Sequence, residues 1–434
     1  MHIYFSGIGG TGVGPAALVA KQAGYTVSGS DSKQSQYIAY LKERGISDIH
    51  IGQTRDKIAE THARQPIDWF IYTPAVPREN PNNPELVFCR ENNIKMTSED
   101  ELIIEILSQK KLKLIAVAGT HGKTTTTAMV VWMLKQLGIP VSWSVGAKIS
   151  FGDMGHFDQS SEYFILEADE FERNFLKFHP HLSIIPGIGW DHHEIYKTED
   201  EYMQAFGQFV NQSDRIVLWV DDFKKLNVSS NSRVTVEQGD NPGIDKIELL
   251  GLYNRRNAWL VIQAVHHLTK KPIDKLIELM NDFPGLSRRH EQIRENLYSD
   301  YAHTPEKILG GMSVALEAAA KTGQNIAVIY EPLTNRRMYH TANLHKDVFR
   351  GAHQIYWVPS FLAREDPALP ILKPAELIKH LSDDLQKIAE PAELDDELAR
   401  KVQQHLDRGD LVLAMSGGGG GSLDEWLRQK FSDS

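Results

Sequence analysis

The sequence predicts an α/β protein of three successive domains, and three observations carry that prediction. Short apolar runs alternate with helix-length segments along the whole chain. Two glycine-rich turns, at residues 7–14 and 119–123, each follow such a run and precede a helical segment. The length, 434 residues, exceeds what one ordinary core organises and fits about three.

The first domain, 1–109, opens with a strand at 2–6, the turn Gly7-Ile8-Gly9-Gly10-Thr11-Gly12-Val13-Gly14, a helix at 16–23 and a strand at 26–30 that ends at Asp31. Strand, loop, helix and strand in this order make a parallel unit with a right-handed connection. Further strands at 69–72 and around Ile94 extend the sheet, and the charged Ser108-Gln109-Lys110-Lys111 stretch marks a seam. The second domain, 110–287, begins with a strand at 112–117, passes a glycine turn and enters an apolar helix at 128–134. Strands follow at 163–166, 182–185 and 215–219, then short strands and turns in the Asn- and Ser-rich segment 227–241, and a helix at 257–267. Phe283-Pro284-Gly285-Leu286 marks the second seam. In the third domain, 288–434, strands are expected at 326–330, 354–358 and 411–415, and Leu394, Leu398, Val402 and Leu406 recur at helical spacing. Residues 417–421, all glycine, follow a strand and read as a loop.

Composition narrows the function. A net charge of −10 without any Lys/Arg-rich block argues against a sequence-independent grip on nucleic acid or on an anionic membrane. With Cys89 the single cysteine, neither an intrachain disulfide nor a multi-cysteine metal site is available. The amino terminus leads straight into a glycine turn, and no apolar stretch reaches membrane-spanning length, so a cytoplasmic location is expected.

Chemistry concentrates in a few stretches. Gly119-Thr120-His121-Gly122-Lys123-Thr124-Thr125, between strand and helix, is a triphosphate cradle: backbone N–H groups and a helix start face an anion, Lys123 reaches the outer phosphates and Thr124 ligates Mg²⁺. Val117 stands where the general pattern has another glycine. Gly7-x-Gly9-x-x-Gly12 with Asp31 at the end of the next strand satisfies the dinucleotide fingerprint, which a UDP-sugar satisfies as well as NAD. Glu167-Ala168-Asp169-Glu170 and Asp191-His192-His193-Glu194 each follow a strand and reach the same carboxyl edge, suited to a nucleotide-bound metal. Arg288 and Arg289, just past the second seam, offer guanidinium charge to a transferring phosphoryl group.

Together these motifs resemble the Mur ligase family, ATP-dependent enzymes that join amino acids or peptides to UDP-N-acetylmuramic acid, and the resemblance covers nearly the whole chain. It implies a three-domain Mur ligase architecture: a Rossmann-like domain binding UDP-N-acetylmuramate, a central P-loop ATPase domain and a Rossmann-like carboxyl-terminal domain that binds the incoming amine. On this resemblance Gly7, Gly9, Gly10, Thr11, Gly12, Ser30 and Asp31 bind the UDP-sugar. Gly119, Thr120, His121, Gly122, Lys123, Thr124 and Thr125 bind ATP, with Asn254 and Asn257 from Gly251-Leu252-Tyr253-Asn254-Arg255-Arg256-Asn257 near adenine and ribose. Thr124, Glu167 and His192 hold Mg²⁺ or Mn²⁺. Arg289, from a Phe-x-Gly-x-x-Arg-Arg element, and Asp300 and His303, from Asp300-Tyr301-Ala302-His303-Thr304-Pro305, complete a catalytic set with Lys123 and His192, and Arg289 and Asp300 also serve ATP.

Three departures are informative: Tyr253 replaces a usual histidine, Gly187 a usual asparagine, and the lysine that several branches carry as a carbamate falls on Phe206. The last is compatible with branches whose acceptor is UDP-N-acetylmuramate itself. Among these, Glu331-Pro332-Leu333-Thr334-Asn335 and the 415–421 stretch resemble the branch of peptidoglycan recycling that adds the tripeptide L-alanyl-γ-D-glutamyl-meso-diaminopimelate, with L-alanine as the alternative amine. Asn335, Arg336, Ser416 and Gly417 are its candidate peptide contacts, the glycines leaving room for a bulky substrate. The implied reaction runs through an acyl phosphate, with the domains closing on their substrates. A nicotinamide oxidoreductase, using only the first glycine turn, is the more distant alternative.

Overall fold

The computed structural model describes residues 1–192, 195–229, 233–362, 365–366, 368–419 and 421–431. His193, Glu194, Gly420 and part of the 227–241 segment lie outside the described residues. Among the described residues the strands form three sheets. The first is fully parallel, in the order β3-β2-β1-β4-β5, from β1 (His2–Ser6), β2 (Thr26–Asp31), β3 (Ile49–Ile51), β4 (Trp69–Tyr72) and β5 (Lys95–Thr97).

The second has the order β12-β11-β10-β6-β9-β7-β8, from β6 (Lys113–Val117), β7 (Val141–Ser144), β8 (Gly155–His156), β9 (Tyr163–Glu167), β10 (Leu182–Ile185), β11 (Ile216–Trp219) and β12 (Val234–Glu237). Only β8 runs antiparallel, at the edge. The third sheet has the order β13-β14-β18-β15-β16-β17, from β13 (Glu291–Arg294), β14 (Leu297–Asp300), β15 (Ile326–Glu331), β16 (Gln354–Trp357), β17 (Ala389–Pro391) and β18 (Leu411–Ser416). Its antiparallel pair β13 and β14 carries no alternating apolar pattern, and the sequence reading passes over it.

By packing, the chain divides into two compact units. Residues 1–248 and 256–284 hold the first two sheets, and residues 249–255 and 285–434 hold the third. Within the first unit the two sheets share one apolar cluster, in which Ala17 and Leu18 of the helix Val13–Gln22 join Met154 and Phe157. A Cβ at Gly155 would stand 2.0 Å from the carbonyl oxygen of Pro15, so glycine there lets β8 touch the helix backbone. The Phe157 N–H donates to Gln22 Oε1 at 2.7 Å across the same seam. Burying these apolar faces contributes about 25 cal/mol per Å².

Parallel order sets the chemistry. β6 lies between β9 and β10, with Val117 paired to both Glu167 and Ile184. The turns that leave these three strands therefore emerge side by side at one carboxyl edge, where open α/β sheets take their ligands. No helix among the described residues is long and apolar enough to cross a membrane.

Candidate active site

The glycine turn after β6 is stitched to its neighbour. Gly119 has φ +153°, and a Cβ there would lie 2.8 Å from the Gly187 carbonyl; Gly122, at φ +76°, faces the Asn257 side chain. The Thr120 N–H donates to the Gly187 carbonyl at 3.0 Å. Its hydroxyl donates to the Gly189 carbonyl at 2.6 Å and sits 2.7 Å from the Tyr202 hydroxyl, so Thr120 shapes the turn. At Gly187 a Cβ would stand 2.1 Å from His121 Cε1. The His121 imidazole lies against this glycine, where the resemblance expects an asparagine.

Lys123 opens the helix Lys123–Gln136 and turns back into the loop, donating to the Gly119 carbonyl at 2.6 Å and to Glu170 Oε2 at 2.7 Å. Its side chain is 14 % exposed and that of Glu170 1 %. Burial works against the Lys123 ammonium, but Glu170, Asp169 and Glu167 outweigh it and raise its pKa. Burial likewise opposes the Glu170 charge, and Lys123 and His192 overcome it, holding that carboxyl down at about 2. Lys123 thus rests on a carboxylate within the glycine turn that the sequence reads as a phosphate cradle.

Two groups of candidate ligands flank it. Thr124 Oγ1 donates to Glu167 Oε1 at 3.0 Å, while Glu167 Oε2 is buried with no hydrogen-bond partner among the described residues. Asp169, Glu170 and His192 each offer a ligand atom, all within 4.8 Å of one another. An orphaned buried carboxylate oxygen beside a threonine hydroxyl, and two carboxylates with one imidazole, fit a hard divalent cation. Asp169 and Glu170 extend the set expected from the sequence, which took only Glu167 from that stretch. The backbone is strained here: Glu172, Arg173 and His192 hold φ of 52°, 59° and 56°. Non-glycine residues in this region cluster at functional sites.

Phe206 is fully buried against Phe175 and Tyr202, with ring centroids 5.1 Å from each. An aromatic cluster thus surrounds Phe206, the position where the resemblance implies a carbamylated lysine in other branches.

The first glycine turn is anchored from below. Gly7 and Ile8 N–H groups donate to the Ser30 carbonyl at 2.9 and 3.0 Å, and the Gly9 N–H to Asp31 Oδ2 at 2.8 Å. Gly10, Thr11 and Gly12 form the exposed rim. The Ser30 hydroxyl points inward to Glu85 at 2.9 Å, and Ser6 and Tyr4 donate to the same carboxylate at 2.6 and 2.8 Å. Glu85 is fully buried, and burial raises its pKa against the pull of these three hydroxyls. The Asn83 side chain caps the helix Pro84–Glu91 by accepting from the Glu85 N–H, and the sequence reading assigns Glu85 no role.

In the second unit Arg288 and Arg289 both stack on the Tyr301 ring, each 4.8 Å from its centroid. Asp300 accepts from the His290 N–H at 3.1 Å, and burial raises its carboxyl to about 6 against the opposing charges of Arg289 and Arg288. His303 is buried, and a Cβ at Gly417 would stand 2.7 Å from its ring. Asn254 donates to the Leu250 carbonyl at 2.9 Å, and Tyr253 is exposed. Asn335 is buried, its amide spent on the Pro370 carbonyl and the Leu372 N–H; Arg336 beside it is exposed. Ser416 is buried, 3.3 Å from Arg288 Nη2.

Comparisons with known proteins bear on the family and the fold. "Mur ligase family, catalytic domain" matches residues 2–111 and "Mur ligase middle domain" residues 117–255. A UDP-N-acetylmuramate–L-alanine ligase of Clostridium acetobutylicum is 30 % identical over 84 % of both chains. The UDP-N-acetylmuramate–L-alanyl-γ-D-glutamyl-meso-2,6-diaminoheptandioate ligase of Haemophilus influenzae is 29 % identical over 99 % of both. Among solved structures, the alanine ligase of Thermotoga maritima shares the fold at a TM-score of 0.73 and 23 % identity, covering 99 % of this chain and 98 % of its own. A murein peptide ligase of Psychrobacter arcticus does so at 0.67 and 22 %, covering 100 % and 99 %. The chain belongs to the Mur ligase family, the ATP-dependent amide ligases of peptidoglycan precursors.

Proposed function

We propose that this enzyme joins the tripeptide L-alanyl-γ-D-glutamyl-meso-diaminopimelate to UDP-N-acetylmuramate in the cytoplasm, forming ADP and phosphate. The observation that carries the ligase chemistry is Lys123 held between Gly119 and Glu170, beside Thr124 and Glu167. ATP entering the cradle takes over from Glu170 as the counter-charge of Lys123. Glu170, with Asp169 and His192, would then be able to hold a second cation, and Thr124 and Glu167 would hold the first. The bound cation, Mg²⁺ or Mn²⁺ in this reading, supplies charge neutralisation for the triphosphate. The muramate lactyl carboxylate then attacks the γ-phosphorus, ADP leaves, and the amine attacks the acyl carbon of the resulting acyl phosphate, releasing inorganic phosphate. Positioning and electrostatics suffice for this, without a covalent enzyme intermediate.

We assign the UDP-sugar to the exposed rim Gly10, Thr11 and Gly12 with Gly7, Gly9 and Asp31, and a role for Ser30 through Glu85. Arg289, Asp300 and His303 are assigned to the reaction and Asn254 and Asn257 to the nucleoside. Full-length similarity to the Haemophilus influenzae tripeptide ligase supports the tripeptide as amine; the Clostridium acetobutylicum relative supports L-alanine as the second reading. With ATP and UDP-N-acetylmuramate present, sustained release of inorganic phosphate over many turnovers is expected to require an added amine and to be faster with the tripeptide than with L-alanine at equal concentration. A preference for L-alanine would install the second reading, and equally fast sustained phosphate release without any amine would refute both.

A further inference from the structure

The turn that carries Asp169 and Glu170 is held in a conformation its own residues do not favour. Glu172 and Arg173, just past Glu170, both sit in the left-handed region at φ 52° and 59°, and His192 does so at φ 56°. Such residues persist only where their surroundings over-determine them. Part of the restraint comes from the same sheet: the Tyr196 hydroxyl donates to the Glu170 carbonyl at 2.6 Å, and the Arg173 guanidinium lies 5.3 Å from the centre of the Tyr196 ring.

The rest comes from the first sheet. β4 leads into the short helix Ala75–Glu79, which lies against the first glycine turn: a Cβ at Gly7 would stand 2.6 Å from Thr73 Cγ2 and 3.8 Å from Val76 Cγ2. From this helix Arg78 reaches the turn after β9. Its guanidinium pairs with the Glu172 carboxylate and lies 4.5 Å from the centre of the Phe171 ring. Phe171 in turn meets the His192 ring edge-on, with centroids 5.0 Å apart. The far end of the segment is tied as well, Lys177 donating to Ser98 Oγ at 3.2 Å and to Asp100 Oδ2 at 3.4 Å.

Charge alone gives an arginine no purpose here. Asp169, Glu170 and His192 offer ligand atoms within 4.8 Å of one another, and a positive side chain nearby opposes a cation among them. What the guanidinium supplies is shape, a planar fork for the Glu172 carboxylate and a flat face for the Phe171 ring. Groups that orient metal ligands without touching the ion commonly govern its affinity.

We infer that Arg78 is a positioning residue for the cation site: through Glu172 and Phe171 it fixes the Asp169–Glu170 turn and the His192 ring, and ties both to the helix behind the first glycine turn. This rests on the reading of Asp169, Glu170 and His192 as cation ligands in the proposed ligase.

The test reads the ion and the turn separately. Arg78→Gln keeps most of the side-chain length and removes the charge. Mn²⁺ is titrated in the presence of ATP, without acceptor or amine, and followed by electron paramagnetic resonance. The Mn²⁺ class that His192→Ala abolishes is expected to bind at least about tenfold more weakly in Arg78→Gln. Loss of a positive charge by itself would tighten that binding, so the sign identifies positioning. In the metal-free protein the Phe171 and Arg173 N–H groups donate to Asp169 Oδ1 at 3.2 Å and to the Glu170 carbonyl at 3.0 Å, and their hydrogen exchange is expected to quicken severalfold in Arg78→Gln. Unchanged or tighter Mn²⁺ binding in Arg78→Gln would overturn the inference. Exchange quickened throughout the chain would make Arg78 a general prop of the fold and overturn it too. Exchange quickened at the turn alone, in a protein whose Mn²⁺ binding ignores His192→Ala, would uphold the hold of Arg78 on the turn and sink the cation reading instead.

Discussion

Lys123→Ala is expected to lower ADP formation at least about 1,000-fold, because a group that neutralises a transferring phosphoryl is worth several kcal/mol in the transition state. The same substitution is expected to destabilise the ligand-free protein. Lys123 Nζ lies 2.7 Å from a Glu170 carboxylate whose side chain is 1 % exposed, and removing one partner of a buried pair costs about 3–5 kcal/mol. The double variant Lys123→Ala/Glu170→Gln isolates the fold effect: denaturant midpoints should recover toward wild type. Recovery of activity as well would show that Lys123 serves only the fold. Acid unfolding supplies a second readout. The Glu170 carboxyl titrates near 2 in the folded chain against 4.5 for an ordinary glutamate, so its stabilisation is complete above the upper value and is lost as pH falls toward the lower. Glu170→Gln should remove that part of the acid transition.

Glu167→Gln is expected to weaken nucleotide-dependent Mn²⁺ binding at least about 100-fold, read by electron paramagnetic resonance without any turnover. The amide still accepts the Thr124 hydroxyl, as Glu167 Oε1 does at 3.0 Å, so the turn is expected to persist. What disappears is the negative charge and the buried Oε2, which has no hydrogen-bond partner among the described residues. Wild-type Mn²⁺ affinity in this variant would remove Glu167 from the site.

Much of this was legible in the sequence wherever the signal is local. β1, β4 and β10 lie where short apolar runs end in turn residues, and the helix Asp396–Asp407 covers most of the Leu394-to-Leu406 periodicity. The glycine turns announced themselves because positive φ at Gly7 and Gly122 requires that residue. Side chains that act across the chain left no such mark. Glu85 clamps Ser6 and Ser30 from 79 and 55 residues away, and Glu170 pairs with Lys123 across 47. The glycines at 417 and 418, read as room for a peptide, are needed first by the rings of His303 and Phe361. The pairing of β13 with β14 depends on tertiary context rather than on pattern, as short strands often do.

The most direct measurement of the central claim, phosphoryl transfer to a carboxylate in the Lys123 cradle followed by amine attack, follows oxygen. UDP-N-acetylmuramate labelled with ¹⁸O in its lactyl carboxylate, turned over with ATP and the tripeptide, should deliver one labelled oxygen to the inorganic phosphate released, because the acyl-phosphate C–O bond breaks on the carbon side. Amide product accompanied by unlabelled phosphate, the displaced labelled oxygen appearing in water instead, would contradict it.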